Sequence, residues 1–222
     1  MLYSEEIVRA NIRNRQGKRV FFLRSSDTLT PSARDYLMRE RIEILQAEQA
    51  KIDEYVLENG AVFQEKPEHY THLRGNVLVP KTHPVIAFRG AMDNLQAEIL
   101  LAQLCCKAQA QELQQILTLA RNIIRWDVME EPATIDTLCG LTDQQLRQHS
   151  HDPQKYYGVP HFMPSVADGA AILQLNKARC AARSAELAAA HAFADRRNDL
   201  LQALNRMSSM LYLLMIQQKQ KR

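Results

Sequence analysis

In the segment ADGAAILQLNKARCAARSAELAAAHA, residues 167–192, alanine is so frequent that any charged position stands out. Arg179, Arg183 and Glu186 recur at i, i+4 and i+7, which places all three on one stripe of a helix. Lys177 is already off that stripe. Two guanidiniums on one rigid face suit a polyphosphate or a buried carboxylate, because each offers a planar fork of donors. The alternative is a solvated, ion-paired surface. The segment NDLLQALNRMSSMLYLLMI carries a second stripe: Asn205, Ser209 and Tyr212 stand beside a core row of Leu201, Leu204, Met207, Leu211 and Leu214. Asparagine is a poor residue inside a helix because its side chain competes for backbone partners. Asn205 therefore reads either as a ligand contact or as a hydrogen-bonded core amide.

Two further groups of residues invite chemistry. Asp93 lies between Met92 and Leu95 on an apolar segment, and a buried carboxylate there would need a cation, for which Arg179 is the candidate. Upstream, Thr71, His72, Arg74, Gly75, Lys81 and Arg89 crowd donors and cations into a stretch leading to a helix start, an arrangement suited to anionic phosphate though not a Walker motif. Metal chemistry is less supported. His149, His151 and His161 read as loop packing, with ligand contact as the alternative, Cys105 and Cys106 diverge by about 100° on a helix, and no C-x-x-C pair occurs.

These residues need elements to hold them. A short helix is expected over 4–14, a strand over 18–23, a helix opened by Thr30 and Pro31, and a strand around 42–45. Together they make a small α/β unit over 1–47. Residues 48–85 are polar and proline-rich, and read as a linker with a phosphate-binding loop. From Pro84 the residues Phe88, Met92, Leu95, Ile99, Ala102 and Cys106 repeat every three or four, a helical core stripe. Further helices are expected over 108–126, from Thr142, over 167–192 and over 194–218. Residues 150–164 read as a loop and the terminal QQKQKR as a frayed tail. The whole is mainly α: an antiparallel bundle of five helices over 86–222 behind the N-terminal α/β unit.

Composition agrees and narrows the function. Seven glycines and 6% aromatics in a chain that is 46% hydrophobic favour helices. Lys and Arg total 28 against 25 Asp and Glu, a net charge of +3, which gives no reason to expect nucleic acid as partner. No apolar run approaches the roughly 20 residues of a membrane span. The opening MLYSEEIVRANIRNRQ has no apolar core after a basic start, so a reducing, cytoplasmic location is expected for the four cysteines.

Taken together, THLRGNVLVPKTHPVIAFRGAMDNLQA, ARCAARSAEL and LNRMSSMLY resemble the ATP:corrinoid adenosyltransferases. The LTPSAR stretch, the run Arg121 to Asp127 and GLTDQQLRQHSHDP bring the likeness closest to the ethanolamine-utilisation type. Residues 46–70 contain no cysteine, whereas that type carries a cysteine-rich metal motif there, so no protein-bound transition metal is expected. The resemblance implies a homotrimer of helical bundles that joins the 5′ carbon of ATP to cob(I)alamin and releases triphosphate, with Mg²⁺ as cofactor. It implies that Thr71, His72, Lys81, Arg183, Glu186 and Asn205 contact ATP, with Arg183 and Lys81 catalytic. It further implies an interface salt bridge between Asp93 and Arg179. Phe162, aligned after a one-residue shift, would displace the corrinoid's lower ligand. Expected partners are a corrinoid reductase and a cobalamin-dependent lyase, with association to a bacterial microcompartment. A non-catalytic nucleotide- or corrinoid-binding module is the alternative.

Overall fold

The computed structural model describes residues 1–15, 17–47 and 55–221, and the chain divides into two compact units, Met1–Ile86 and Ala87–Arg222. In the first, β1 (Leu2–Tyr3) precedes α1 (Glu5–Ala10), whose N-terminus is capped by the Ser4 hydroxyl and carries Glu5 and Glu6 in its first turn. Strands β2 (Arg13–Arg15) and β3 (Lys18–Leu23) form an antiparallel pair. After β4 (Thr28–Leu29), Thr30 caps α2 (Pro31–Arg39), accepting from the Ala33 amide at 3.2 Å, with Pro31 at the first position. Strand β5 (Glu43–Gln46) then lies parallel to β3, the pairing that a helical crossover permits. Val8, Phe21, Ala33, Tyr36, Leu37 and Ile42 close the core beneath.

The stretch read as linker and loop holds a second sheet of β6 (Tyr55–Leu57), β7 (Val62–Phe63), β8 (Tyr70–Arg74) and β9 (Val77–Pro80), in the order β7-β6-β9-β8. Its prolines did not prevent this. Pro67 lies in a connection and Pro80 ends a strand, so neither interrupts a ladder. The expected boundary at 47/48 abuts residues 48–54, which lie outside the described residues. Two contacts tie this sheet to the first half of the unit. The Asn76 side chain mimics a strand edge, accepting from the Asn14 amide at 2.7 Å and donating to its carbonyl at 2.8 Å. Gly75 has φ +52°, and a Cβ there would sit 2.0 Å from the Ile12 carbonyl oxygen. Gly75→Ala is thus expected to cost about 2–4 kcal/mol through left-handed strain and overpacking, read as a lowered melting transition of the first unit.

Helix α3 (Pro84–Cys105) opens the helical unit, and the His83 ring accepts from the Val85 amide at 3.2 Å at its start. It is followed by α4 (Ala110–Met129), the hairpin β10 (Thr137–Leu138) and β11 (Leu141–Thr142), α5 (Asp143–His151), α6 (Pro153–Tyr157), α7 (Gly169–Phe193) and α8 (Asn198–Gln220). The chain is mainly α with a small N-terminal α/β region. Helices α7 and α8 pack along each other, and α4, α5 and α6 also lie against α8. The predicted α3 stripe of Phe88, Met92, Leu95, Ile99, Ala102 and Cys106 is buried, as are Leu204, Met207, Leu211 and Leu214 on α8. The Phe88 ring meets Phe193 edge-on at 5.2 Å.

Several expectations change here. Residues 150–164 are not wholly loop: Asp152 caps the short α6 and Gly158, at φ +69°, ends it. The C-terminal tail is helical through Gln220, and the Lys219 ammonium in it bonds the Asp168 carboxylate. Asp93 is exposed, not buried. Its sequence neighbour Met92 points inward, but one residue rotates a helix by about 100° and carries Asp93 off the core face. The buried carboxylate is Asp127 on α4, fully enclosed, and its partner is Arg89, whose Nε and Nη2 lie 2.9 and 2.8 Å from Oδ2. A second buried acid, Glu98, links α3 to α7 by accepting from Gln174 at 2.8 Å and pairing with Lys177 at 2.9 Å, and Lys177 holds its carboxyl below the usual range.

Candidate functional site

The two stripes read from the sequence face each other. On antiparallel α7 and α8, the Asn205 amide donates to Glu186 Oε1 at 3.2 Å. Two turns further along each helix, Arg179 lies close enough for its charge to act on Tyr212. The three α7 side chains differ in what holds them. Arg179 donates twice to Asn176 Oδ1, at 3.2 and 3.0 Å. Glu186 is occupied by Asn205. Arg183, between them, is exposed and makes no hydrogen bond or ion pair among the described residues. An uncommitted guanidinium flanked by an amide and a carboxylate is chemically suited to an anionic, hydrogen-bonding ligand such as a nucleotide.

Past Asn205, the network continues into α5. Arg206 Nη1 donates to Asn205 Oδ1 at 2.8 Å, while its Nε and Nη2 grip the Asp143 carboxylate, the latter at 3.1 Å. Gln202 adds a bond to Asp143 at 3.1 Å, and Arg206 keeps that carboxyl below its ordinary range. Asp143, Gln202 and Arg206, with Ile135, Leu138 and Leu141, line a pocket of about 140 Å³.

Toward the C-terminal end of α8, the segment around His161 contacts Tyr212. His161 Nδ1 lies 2.8 Å from the Tyr212 hydroxyl and its Nε2 donates to the His151 carbonyl at 3.1 Å, the two rings being stacked. Burial pushes the Tyr212 phenol up. Phe162 is half-buried, with the Lys219 ammonium 5.3 Å from its ring centre, whereas Met163 and Val166 are 89% and 87% exposed. Asp168 anchors this segment: besides Lys219, it accepts from the Ser165 amide at 2.7 Å and hydroxyl at 3.1 Å, and its pKa falls to about 2. Because the folded value lies below the unfolded value of about 3.9, the anchor is complete above about pH 4 and is lost as pH falls toward 2. Hydrogen exchange at the Ser165 amide, corrected for intrinsic rate, is expected to accelerate over that interval, and Asp168→Asn to accelerate it at neutral pH.

Thr71, His72 and Lys81 belong to the other unit. Thr71 and His72 are consecutive residues of strand β8, not loop residues, so their side chains leave opposite faces of the sheet. The His72 ring packs against Tyr55 at 5.7 Å. Lys81 is exposed and pairs with Glu68 at 2.9 Å. Arg89, expected beside them, is engaged with Asp127. Asp93 and Arg179 are not paired within the chain, since Arg179 is held by Asn176. His149, on α5 and not in a loop, stacks on Tyr156 of α6, and its Nδ1 sits 2.9 Å from the Tyr157 hydroxyl. No group of three or more His, Cys, Asp or Glu side chains among the described residues is placed to hold a metal ion. Sequence reasoning missed Asp143, Arg206, Asp168 and Lys219. Asp143 reads as an ordinary acidic first-turn residue, and nothing in spacing joins it to a residue 63 positions away.

Fold and site together describe an antiparallel helical bundle with a cationic stripe on one inter-helix face. A family model described as cobalamin adenosyltransferase matches residues 61–218, and the chain belongs to that family. The corrinoid adenosyltransferase EutT of Salmonella typhimurium (strain LT2) and that of Escherichia coli (strain K12) are each 35% identical over 157 residues, covering 68% of this chain and 59% of the relative. The chain therefore spans less than two thirds of the length of these relatives. No solved structure matches it.

Proposed function

We propose that the protein transfers the 5′-deoxyadenosyl group of ATP to a reduced corrinoid. The cobalt lone pair of cob(I)alamin attacks C5′, a cobalt–carbon bond forms, the C5′–O bond breaks, and triphosphate departs with the electron pair. The observation that carries this reading is the exposed, uncommitted Arg183 between Arg179 and Glu186, opposite Asn205, inside the family-matched segment. The nucleophile belongs to the substrate, so the protein need supply no base. Its tasks are orientation and neutralisation of the departing charge. Arg183 and Lys81 serve the second, while Thr71, His72, Glu186 and Asn205 hold the nucleotide. Phe162 and Met163 offer apolar surface to the corrinoid. Mg²⁺ would travel on the triphosphate, offsetting part of its charge.

Further parts of the reading concern assembly and setting. Asp93 shares the outer face of α3 with the exposed Leu100, Leu101 and Leu104. A second copy covering that face in a trimer would bring Asp93 to Arg179 of a neighbour, and either residue changed to alanine is then expected to shift sedimentation toward monomer. A corrinoid reductase, a cobalamin-dependent lyase and a cytoplasmic, microcompartment-associated setting complete the proposal. None of the described helices is long and apolar enough to cross a membrane. The deciding experiment incubates the chain with Mg·ATP and chemically reduced cobalamin and follows adenosylcobalamin by its light-sensitive absorbance. Formation of product supports transfer; binding of both ligands without turnover overturns it in favour of a binding module.

A further inference from the structure

We infer that Asp143 and Arg206 are positioning residues that orient the Asn205 amide for the nucleotide, an inference resting on the reading of Asn205 given above. An asparagine amide has two ends of nearly equal shape and opposite hydrogen-bonding character, so its orientation is decided by its neighbours. Here both neighbours are decided. Glu186 Oε1 can only accept, and receives Nδ2 at 3.2 Å. Arg206 can only donate, and gives Nη1 to Oδ1 at 2.8 Å. Rotating the amide by half a turn would set donor against donor and acceptor against acceptor, losing both bonds.

Arg206 can play this part only because Asp143 fixes it. The carboxylate takes Nε and Nη2 together, leaving Nη1 aimed along α8 at its own neighbour. The Arg206 side chain is 14% exposed, so the fork has little freedom to swing away. Asp143 is located in turn by the start of α5, where the Thr142 hydroxyl accepts from the Gln145 amide at 3.3 Å and the Gln145 side chain accepts from the Thr142 amide at 2.9 Å. Gln202, one turn earlier on α8, supplies a third donor to the same carboxylate. A run of directional bonds thus crosses three helices, from α5 through α8 to Glu186 on α7.

Two variants of the full chain test this by steady-state adenosylation with ATP and corrinoid varied separately. Asp143→Asn removes the charged two-oxygen grip. Arg206→Lys keeps the charge, but its single ammonium cannot hold the carboxylate and Asn205 in the same fixed geometry. Each is expected to raise the KM for ATP about tenfold while leaving the KM for corrinoid unchanged. The double variant Asp143→Asn with Asn205→Ala is expected to be no worse than Asn205→Ala alone, because the two act through one group. Independent, multiplying losses would overturn the inference, as would an equal rise in both KM values. A readout free of turnover is the side-chain amide resonance pair of Asn205, which should move in both variants; an unmoved pair overturns the inference. If wild-type chain forms no adenosylated corrinoid while the amide pair moves in both variants, the catalytic reading fails and the positioning stands. Normal wild-type turnover with unaffected variants removes the positioning alone.

Discussion

Asp127→Ala is expected to destabilise the helical unit by about 3–5 kcal/mol, because it leaves the Arg89 guanidinium facing a cavity with its main counter-charge removed. Asp127 is fully enclosed, and Arg89 reaches it with two nitrogens from α3 while the acid itself stands near the end of α4. The pair therefore clamps two helices at one end of the bundle. The loss should appear as a lower urea midpoint by far-UV circular dichroism, with the slope unchanged if the compactness of the unfolded chain is unaltered. Replacing both partners together, Arg89→Met with Asp127→Leu, is expected to be far milder than either single change, since it removes the buried charge instead of stranding one. A midpoint for Asp127→Ala equal to that of wild type would show that the pair contributes nothing to the bundle.

Arg183→Ala is expected to leave stability within about 0.5 kcal/mol of wild type, as for other exposed positions outside a network. Its adenosylation kcat/KM should nevertheless fall by about 10²–10³, the usual consequence of removing a donor aimed at developing charge. Arg183→Lys should recover only part of this, because an ammonium cannot present the planar fork. The combination of an unchanged melt and a large kinetic loss is the signature expected of a residue used for chemistry. An Arg183→Ala enzyme with wild-type kcat/KM would remove Arg183 from the reaction, whatever the fate of the rest of the site.

Much of the fold was legible because helical periodicity and caps are local. The α3 stripe from Phe88 to Cys106, the Thr30–Pro31 start of α2 and the Thr142 start of α5 each lie within a few residues of the evidence for them, and the two polar stripes on α7 and α8 were visible for the same reason. Where the reading failed, the deciding partner was distant. Apolar neighbours in sequence suggested that Asp93 was buried, but burial follows the helix face, and Glu98 and Asp127 are the acids enclosed on α3 and α4. Prolines suggested a loop over 48–85, but Pro67 lies between two strands, Pro80 ends one and Pro84 opens α3, so none interrupts a ladder. The polar tail from Gln217 is helical, and its Lys219 contacts Asp168, 51 positions upstream.

By itself, the sequence determined that the chain is mainly helical, that its helices have particular buried faces, and that Arg179, Arg183, Glu186, Asn205 and Tyr212 occupy two stripes. Periodicity of 3.6 residues per turn is a property of the chain alone. Only the tertiary structure decided that the stripes face one another with Asn205 against Glu186, that Arg183 is the cation left uncommitted between them, and that Arg206 is clamped by Asp143. The antiparallel register of α7 on α8, and the seat of α5 against α8, arise from packing between segments far apart in sequence, and no local pattern encodes which donor meets which acceptor across such an interface.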